Sequence, residues 1–98
     1  LQASDYPSAE RDFAFVMDAA VEADALLRAA RGADKQLIES ATIFDVFEGP
    51  SLGEGRKSVA LSVRLQPKDR TLTDEEIDSV AAKVVAAVEK ASGGTLRT

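Results

Sequence analysis

The stretch Ile43-Phe44-Asp45-Val46-Phe47-Glu48-Gly49, followed by Gly53, Gly55 and Arg56-Lys57-Ser58-Val59-Ala60-Leu61, decides the fold. Apolar and polar residues alternate through both arms, the period of a sheet buried on one face only. The residues between the arms, Gly49 to Gly55, have the composition of a loop. In the first arm Phe44 and Val46 share a face, and Ile43, Asp45 and Phe47 share the other. Burying Asp45 without a partner is costly, so Phe44 and Val46 are expected in the core. In the second arm, Ser58 to Leu65, the core set is Val59, Leu61, Val63 and Leu65. Ser58, Ala60, Ser62 and Arg64 face away.

Working outward, Leu37 to Glu48 is expected to be a strand. Before it, Glu22 to Arg31 is rich in alanine and leucine and predicts a short helix. Gly32 stands where a left-handed C-cap belongs. Further back, Arg11 to Asp18 alternates again, with Phe13, Phe15 and Met17 inward and Asp12, Ala14, Val16 and Asp18 outward. Leu1 to Ser8 reads as a lead-in segment, extended at Tyr6-Pro7 because a residue before proline avoids the helical region.

On the other side, Pro67 closes the last hairpin strand. Leu72-Thr73-Asp74-Glu75-Glu76-Ile77 has the spacing of a capping box with a hydrophobic staple. Ile77, Val80, Ala81, Val84, Val85 and Val88 then recur at helical spacing. Gly93-Gly94 stops this second helix, and Thr95-Leu96-Arg97 is expected to form a short last strand. The order strand, helix, strand, strand, helix, strand is the split βαβ, or ferredoxin-like, α+β arrangement. Both helices should cover one face of an antiparallel sheet. The other face is left open, carrying Asp12, Ala14, Asp45, Phe47, Ser58, Ala60, Ser62 and Arg64.

The 98-residue chain has the length of one domain, with 45% hydrophobic residues. It has no Cys and no His. Disulfides, thiol nucleophiles, the usual zinc sites and histidine bases are thereby excluded, and the composition fits a reducing compartment. No apolar run approaches the roughly 20 residues of a membrane span, and no signal-peptide pattern opens the chain. The chain starts at Leu1, which suggests a piece cut from a longer protein.

The net charge of −5 argues against nucleic acid. Residues 56–70, however, hold Arg56, Lys57, Arg64, Lys68 and Arg70 against Asp69 alone. A local basic patch within an acidic domain and a merely solubilising surface both fit this distribution.

A phosphate-loop reading of Gly49 to Ser58 fails. Lys57 does not directly follow the last glycine, and the next residues alternate as a strand where such a loop must open a helix. No serine has a histidine partner, no carboxylates form a spaced acid–base pair, and the glycine loop offers a metal only Glu48 and Glu54. Acylphosphatases, an enzyme type of this fold, need an Arg and an Asn, and the chain lacks Asn. No catalytic residues and no metal ligands are therefore expected. Phe47, with small neighbours on the open face, suits base stacking as RNA-binding sheets use it. Packing of Phe47 under the loop, or against another part of a larger protein, fits the pattern equally.

Several segments together resemble one family. They are Tyr6-Pro7, Arg11-Asp12, Phe44 to Gly49, Gly55 to Ala60, Arg70 to Ile77 and the closing Leu96-Arg97. In order and spacing they are similar to the ferredoxin-fold anticodon-binding domain that ends the beta subunit of bacterial phenylalanyl-tRNA synthetases. Phe47 departs from the family, which often has Tyr there; a stacking face remains but a hydroxyl is lost.

The resemblance implies a single domain over residues 1–98, with its core at 6–97 and residues 1–5 as a linker. It implies that the domain holds the anticodon stem-loop of tRNA(Phe) and has no cofactor of its own. The parent enzyme would attach phenylalanine to tRNA with ATP and magnesium, its chemistry in the alpha subunit of a cytoplasmic (αβ)2 assembly. The expected RNA-binding residues are Arg11, Asp12, Ala14, Asp45, Phe47, Lys57, Ser58, Ala60, Ser62 and Arg64. In these roles Phe47 stacks, and Ser58 and Ser62 meet base edges. Arg11, Lys57 and Arg64 contact phosphate or base. Asp12 and Asp45 either pair with those cations or accept from a guanine edge. The alternative is a ferredoxin-like docking or small-molecule-sensing regulatory module that uses its sheet for protein contact.

Overall fold

A computed structural model of the chain describes residues 6–97. The linker expected over residues 1–5 lies outside them. The elements are strand β1 (Ala9–Asp18), helix α1 (Ala23–Gly32), β2 (Ile38–Phe47), β3 (Arg56–Leu65), α2 (Asp74–Ser92) and β4 (Thr95–Leu96). The sheet order is β2-β3-β1-β4 and every pairing is antiparallel. This is the ferredoxin-like α+β fold expected from the sequence.

Phe15, Met17, Val59, Leu61, Val63 and Leu65 of the sheet are buried against Leu26 and Ala30 of α1 and Ile77, Val80, Val84 and Val88 of α2. Alternation along β1 and β3 accounts for the sheet side of this core. The helical spacing of the valines accounts for the α2 side. Valine is a modest helix former, so packing must hold this stretch.

The capping box of α2 is formed. The Glu76 amide donates to Thr73 Oγ1 at 3.1 Å, and the Thr73 amide donates to Glu76 Oε1 at 2.9 Å. Arg70 also binds the Glu76 carboxylate. Gly93 ends the helix in the left-handed region, φ 70°. Gly94 then brings the chain against β1, where a Cβ would stand 2.5 Å from the Val16 carbonyl oxygen and 2.9 Å from Met17 Cβ. The Glu89 carboxylate accepts from the Leu96 amide at 3.1 Å and ties α2 to β4.

Gly32 is not a left-handed cap. It is the last residue of α1, and the cap is Ala33 in the right-handed helical region. Asp34 makes the turn instead, its carboxylate accepting from the amides of Gln36 and Leu37 at 3.1 Å each. A side-chain acceptor that caps the free amides leaves no need for a positive φ.

The larger correction concerns β2. Phe44 and Val46 are not core residues; they are 57% and 53% exposed. Ile43, expected on the open side, packs against the core opposite Leu61. The cause is a bulge. Ile43 pairs with Leu61 and Asp45 with Ala60, so Phe44 is an extra residue that breaks the two-residue period. Beyond the bulge Val46 is opposite Val59, on the helix side. However, α1 has 10 residues, a length of about 15 Å. The 10 residues of β2 extend about 33 Å. The far end of this outer strand has no helix above it.

Candidate nucleic-acid interface

The register lays out the open face row by row. Val16, Ser58 and Phe47 lie across from one another, then Ala14, Ala60 and Asp45, then Asp12, Ser62 and Thr42, and last Glu10, Arg64 and Ser40. The bulge at Phe44 does not disturb this face, because Asp45 and Phe47 both follow it. The expected neighbours Asp12, Ala14, Asp45, Phe47, Ser58, Ala60, Ser62 and Arg64 are thus brought together. Ala14 and Ala60 form a low floor, with Phe47 at its β2 side, 48% exposed. The Phe47 ring leans over Gly49, which has no side chain to obstruct it.

Arg11 and Lys57 are not part of this group. Arg11 pairs with Val63 and Lys57 with Met17, so both share the helix side with these core residues. Lys57 is also committed to the fold, its Nζ donating to the Val21 carbonyl at 2.6 Å. Arg64 is on the open face, but its guanidinium lies between the carboxylates of Glu10 at 3.1 Å and Glu39 at 2.9 Å. Two acids beside one cation leave little positive charge for a phosphate. Among the described residues Asp12 and Asp45 make no salt bridge. Their carboxylates are acceptors with no protein cation beside them.

One residue of this face is absent from the expected set. The Arg97 amide donates to the Ala14 carbonyl at 2.7 Å, and Leu96 pairs with Phe15. Arg97 therefore falls on the open face. Its Nη1 reaches across β1 and donates to Ser58 Oγ at 3.0 Å. Ser58 is left only 6% exposed. The signal for Arg97 was already present in the sequence: in a strand that turns Leu96 inward, the next residue points outward.

The loop after β2 holds a single 3-10 turn, Pro50–Leu52. A shallow hollow of about 410 Å³ beside it is lined by Glu48, Gly49, Pro50, Gly53, Glu54, Gly55 and Arg56. Two carboxylates against one arginine make it a poor place for an anion. Among the described residues no three acidic side chains converge as a metal cage would require, and no helix is long and apolar enough to cross a membrane.

An open antiparallel sheet that offers one aromatic ring, small residues, hydroxyls and carboxylates, and an arginine from the last strand, is a surface for planar, hydrogen-bonding ligands. The family model described as the ferredoxin-fold anticodon binding domain matches residues 4–97, and the chain belongs to this family. It is 58% identical over 99% of its length to a phenylalanine–tRNA ligase beta subunit from Cereibacter sphaeroides. It is 56% identical over 99% of its length to the one from Paramagnetospirillum magneticum, and 59% identical over 95% to the one from Ruegeria pomeroyi. The chain spans 12% of the length of each of these relatives.

Proposed function

We propose that the open sheet face binds the anticodon stem-loop of tRNA(Phe), and that the chain does so as the anticodon-binding part of a phenylalanine–tRNA ligase beta subunit. The observation that carries the reading is Phe47. It is a half-exposed ring in the same row as Ser58 and one row from the Ala14–Ala60 floor, where a base has room to stack. Asp45 offers two acceptor oxygens toward the donors of a base edge such as guanine's. Ser62 and Asp12 extend the polar surface, and Arg97 supplies the cation that Arg64, held by two acids, does not. Attachment of phenylalanine with ATP and magnesium belongs to the alpha subunit of a cytoplasmic (αβ)2 enzyme. This domain contributes selection of the tRNA.

The net charge of −5 predicts weak binding by the domain alone with a shallow salt dependence, since few phosphates are neutralised. The test is a titration of the isotope-labelled chain with the tRNA(Phe) anticodon stem-loop, followed by amide shifts. Shifts centred on Ala14, Asp45, Phe47, Ser58 and Ala60 are expected. Shifts confined to the helices and Arg11, or none at low salt, would sink the reading.

A docking role is favoured by one separate observation, the exposure of Phe44 and Val46 at the uncovered end of β2. Such an apolar patch suits protein contact. A sizing column separates the two: a stable dimer burying Phe47 would support docking over RNA binding.

A further inference from the structure

Of the basic run over residues 56–70, most cations are engaged within the fold. Lys57 is held by the Val21 carbonyl, Arg64 by Glu10 and Glu39, and Arg70 by Asp69 and Glu76. Lys68 makes no ion pair among the described residues, and neither does Lys35. The fold brings these two lysines together. The turn after α1 and the turn after β3 are tied by the Gln66 amide, which donates to the Leu37 carbonyl at 2.8 Å. Lys35 stands two residues before that bond and Lys68 two residues after it. Both line one hollow of about 290 Å³, shared with Glu39 and Gln66. The acid of the first turn, Asp34, is turned to other partners: it accepts from the Gln36 and Leu37 amides and pairs with Lys83.

The hollow adjoins the last row of the open face, because Glu39 is also a partner of Arg64 in that row. From the Phe47–Ser58 row to Leu65 is seven residues of β3, about 23 Å of strand. The opposite end of the sheet has the other sign. There Glu48 and Glu54 line the loop hollow with Arg56, and Asp18 stands across the strands from the same arginine. A duplex leaving the face at that end would bring its phosphates against an excess of carboxylates. We infer that Lys35 and Lys68, brought together by the Leu37–Gln66 bond, form a phosphate-binding site for the RNA stem, so that the stem runs along the sheet toward these two turns and away from the glycine loop. The inference rests on the RNA-binding reading above and adds to it the direction in which the RNA leaves the face and a second place where it is held. A lysine ammonium meets phosphate oxygens as a point charge whatever the sequence. This site therefore supplies affinity and orientation, and no choice of base.

The test measures affinities of the chain and its variants, over a range of salt concentrations, for the tRNA(Phe) anticodon stem-loop and for the same loop with its stem cut back pair by pair. Lys35→Gln and Lys68→Gln should each weaken binding of the full stem-loop several-fold. Each should also make the slope of log affinity against log salt shallower by about 0.7–0.9, the value of one phosphate contact. The loss should be the same whichever loop base is exchanged, and it should vanish for the shortest stems. Lys90→Gln is the control. It makes the same change of net charge on the last turn of α2, just before Gly94 packs on Val16 at the other end of the sheet. With screening over about 10 Å at 0.1 M salt, it should change neither affinity nor slope.

Both lysines are exposed, so their substitution leaves the fold intact, and thermal midpoints check this. The inference is overturned if Lys35→Gln and Lys68→Gln bind the full stem-loop as the parent does, if Lys90→Gln loses as much as they do, or if their losses persist undiminished on the shortest stem. Phe47→Ala, in contrast, should weaken long and short stems alike. A chain that binds no stem-loop at all, or whose binding ignores Phe47→Ala, overturns the RNA-binding reading itself, a distinguishable result.

Discussion

The ring of Phe47 lies directly over Gly49, so close that a Cβ on Gly49 would stand 2.6 Å from the ring's Cζ. The glycine beside the strand end therefore determines where the aromatic face rests. Gly49→Ala forces the ring to another position. Because the ring is the free end of a side chain, the fold yields little. We expect a several-fold loss of stem-loop affinity with a thermal midpoint within a few degrees of the parent. Phe47→Ala should lose roughly 1–3 kcal/mol of binding, the value of one stacked base, and Phe47→Tyr should keep most of it. Fluorescence anisotropy with labelled stem-loop reads all three.

Phe44 and Val46 give a test of the β2 bulge. A buried Phe truncated to Ala costs about 3–5 kcal/mol. Since both side chains are more than half exposed, Phe44→Ala and Val46→Ala should each cost under about 1 kcal/mol in urea denaturation. Leu61→Ala, at a fully buried position, should cost about 2–5 kcal/mol. Equal losses at Phe44 and Leu61 would contradict the bulged register.

Gly94→Ala should be more harmful than its size suggests. The added carbon would meet the Val16 backbone oxygen at 2.5 Å, and a strand backbone held by a ladder on both sides cannot step aside. A loss of about 1–3 kcal/mol is expected. β4 should also shift away from β1, so stem-loop affinity falls together with stability. By contrast, Gly32→Ala, with nothing within 4 Å and a helical backbone, should be neutral or slightly stabilising.

Acid stability should report on the start of α2. The Thr73 amide, and after it Arg70, hold the Glu76 carboxyl below its ordinary value of 4.5. A depressed folded-state value means stability that is fully present above 4.5 and lost as pH falls through the lower value. Arg70 is raised by the same carboxylate and stays charged throughout, so it adds no slope of its own. Melting curves between pH 3 and 7 should therefore show Glu76→Gln losing less stability on acidification than the parent. Thr73→Ala removes the hydroxyl cap and should cost about 1 kcal/mol at neutral pH.

The sequence made the fold legible because its strongest signals are local and agree with the global arrangement. The capping box at Thr73 and Glu76, the valine stripe of α2 and the alternation of β1 and β3 each specify an element and a face. The open set on β1 and β3 followed directly. The reading of β2 failed because a bulge is invisible to a two-residue period: both Ile43 and Asp45 fit the same alternation, and only pairing with Leu61 and Ala60 separates them. Gly32 misled because glycine tolerates a left-handed cap without requiring one, while Asp34 offered an alternative. Placing Arg11 and Lys57 among the RNA contacts reflected their charge alone; their parity with Phe13 and Val59 already assigned them to the helix side. The outward placement of Arg97 follows only once Leu96 is known to turn inward, and a two-residue strand gives that parity little support in the sequence.

β2 is also the outermost strand, and the register breaks between Ile38 and Ser40 and again between Ile43 and Asp45. A straight outer strand of this length would offer its free edge to any other copy as a template for continued strand pairing. Two interruptions, with Glu39 and Asp45 placed at them, deny that template a continuous run of unpaired amides. The protein can therefore keep Phe44, Val46 and Phe47 exposed at one margin without inviting polymerisation: access for a ligand and resistance to aggregation come from the same irregularity.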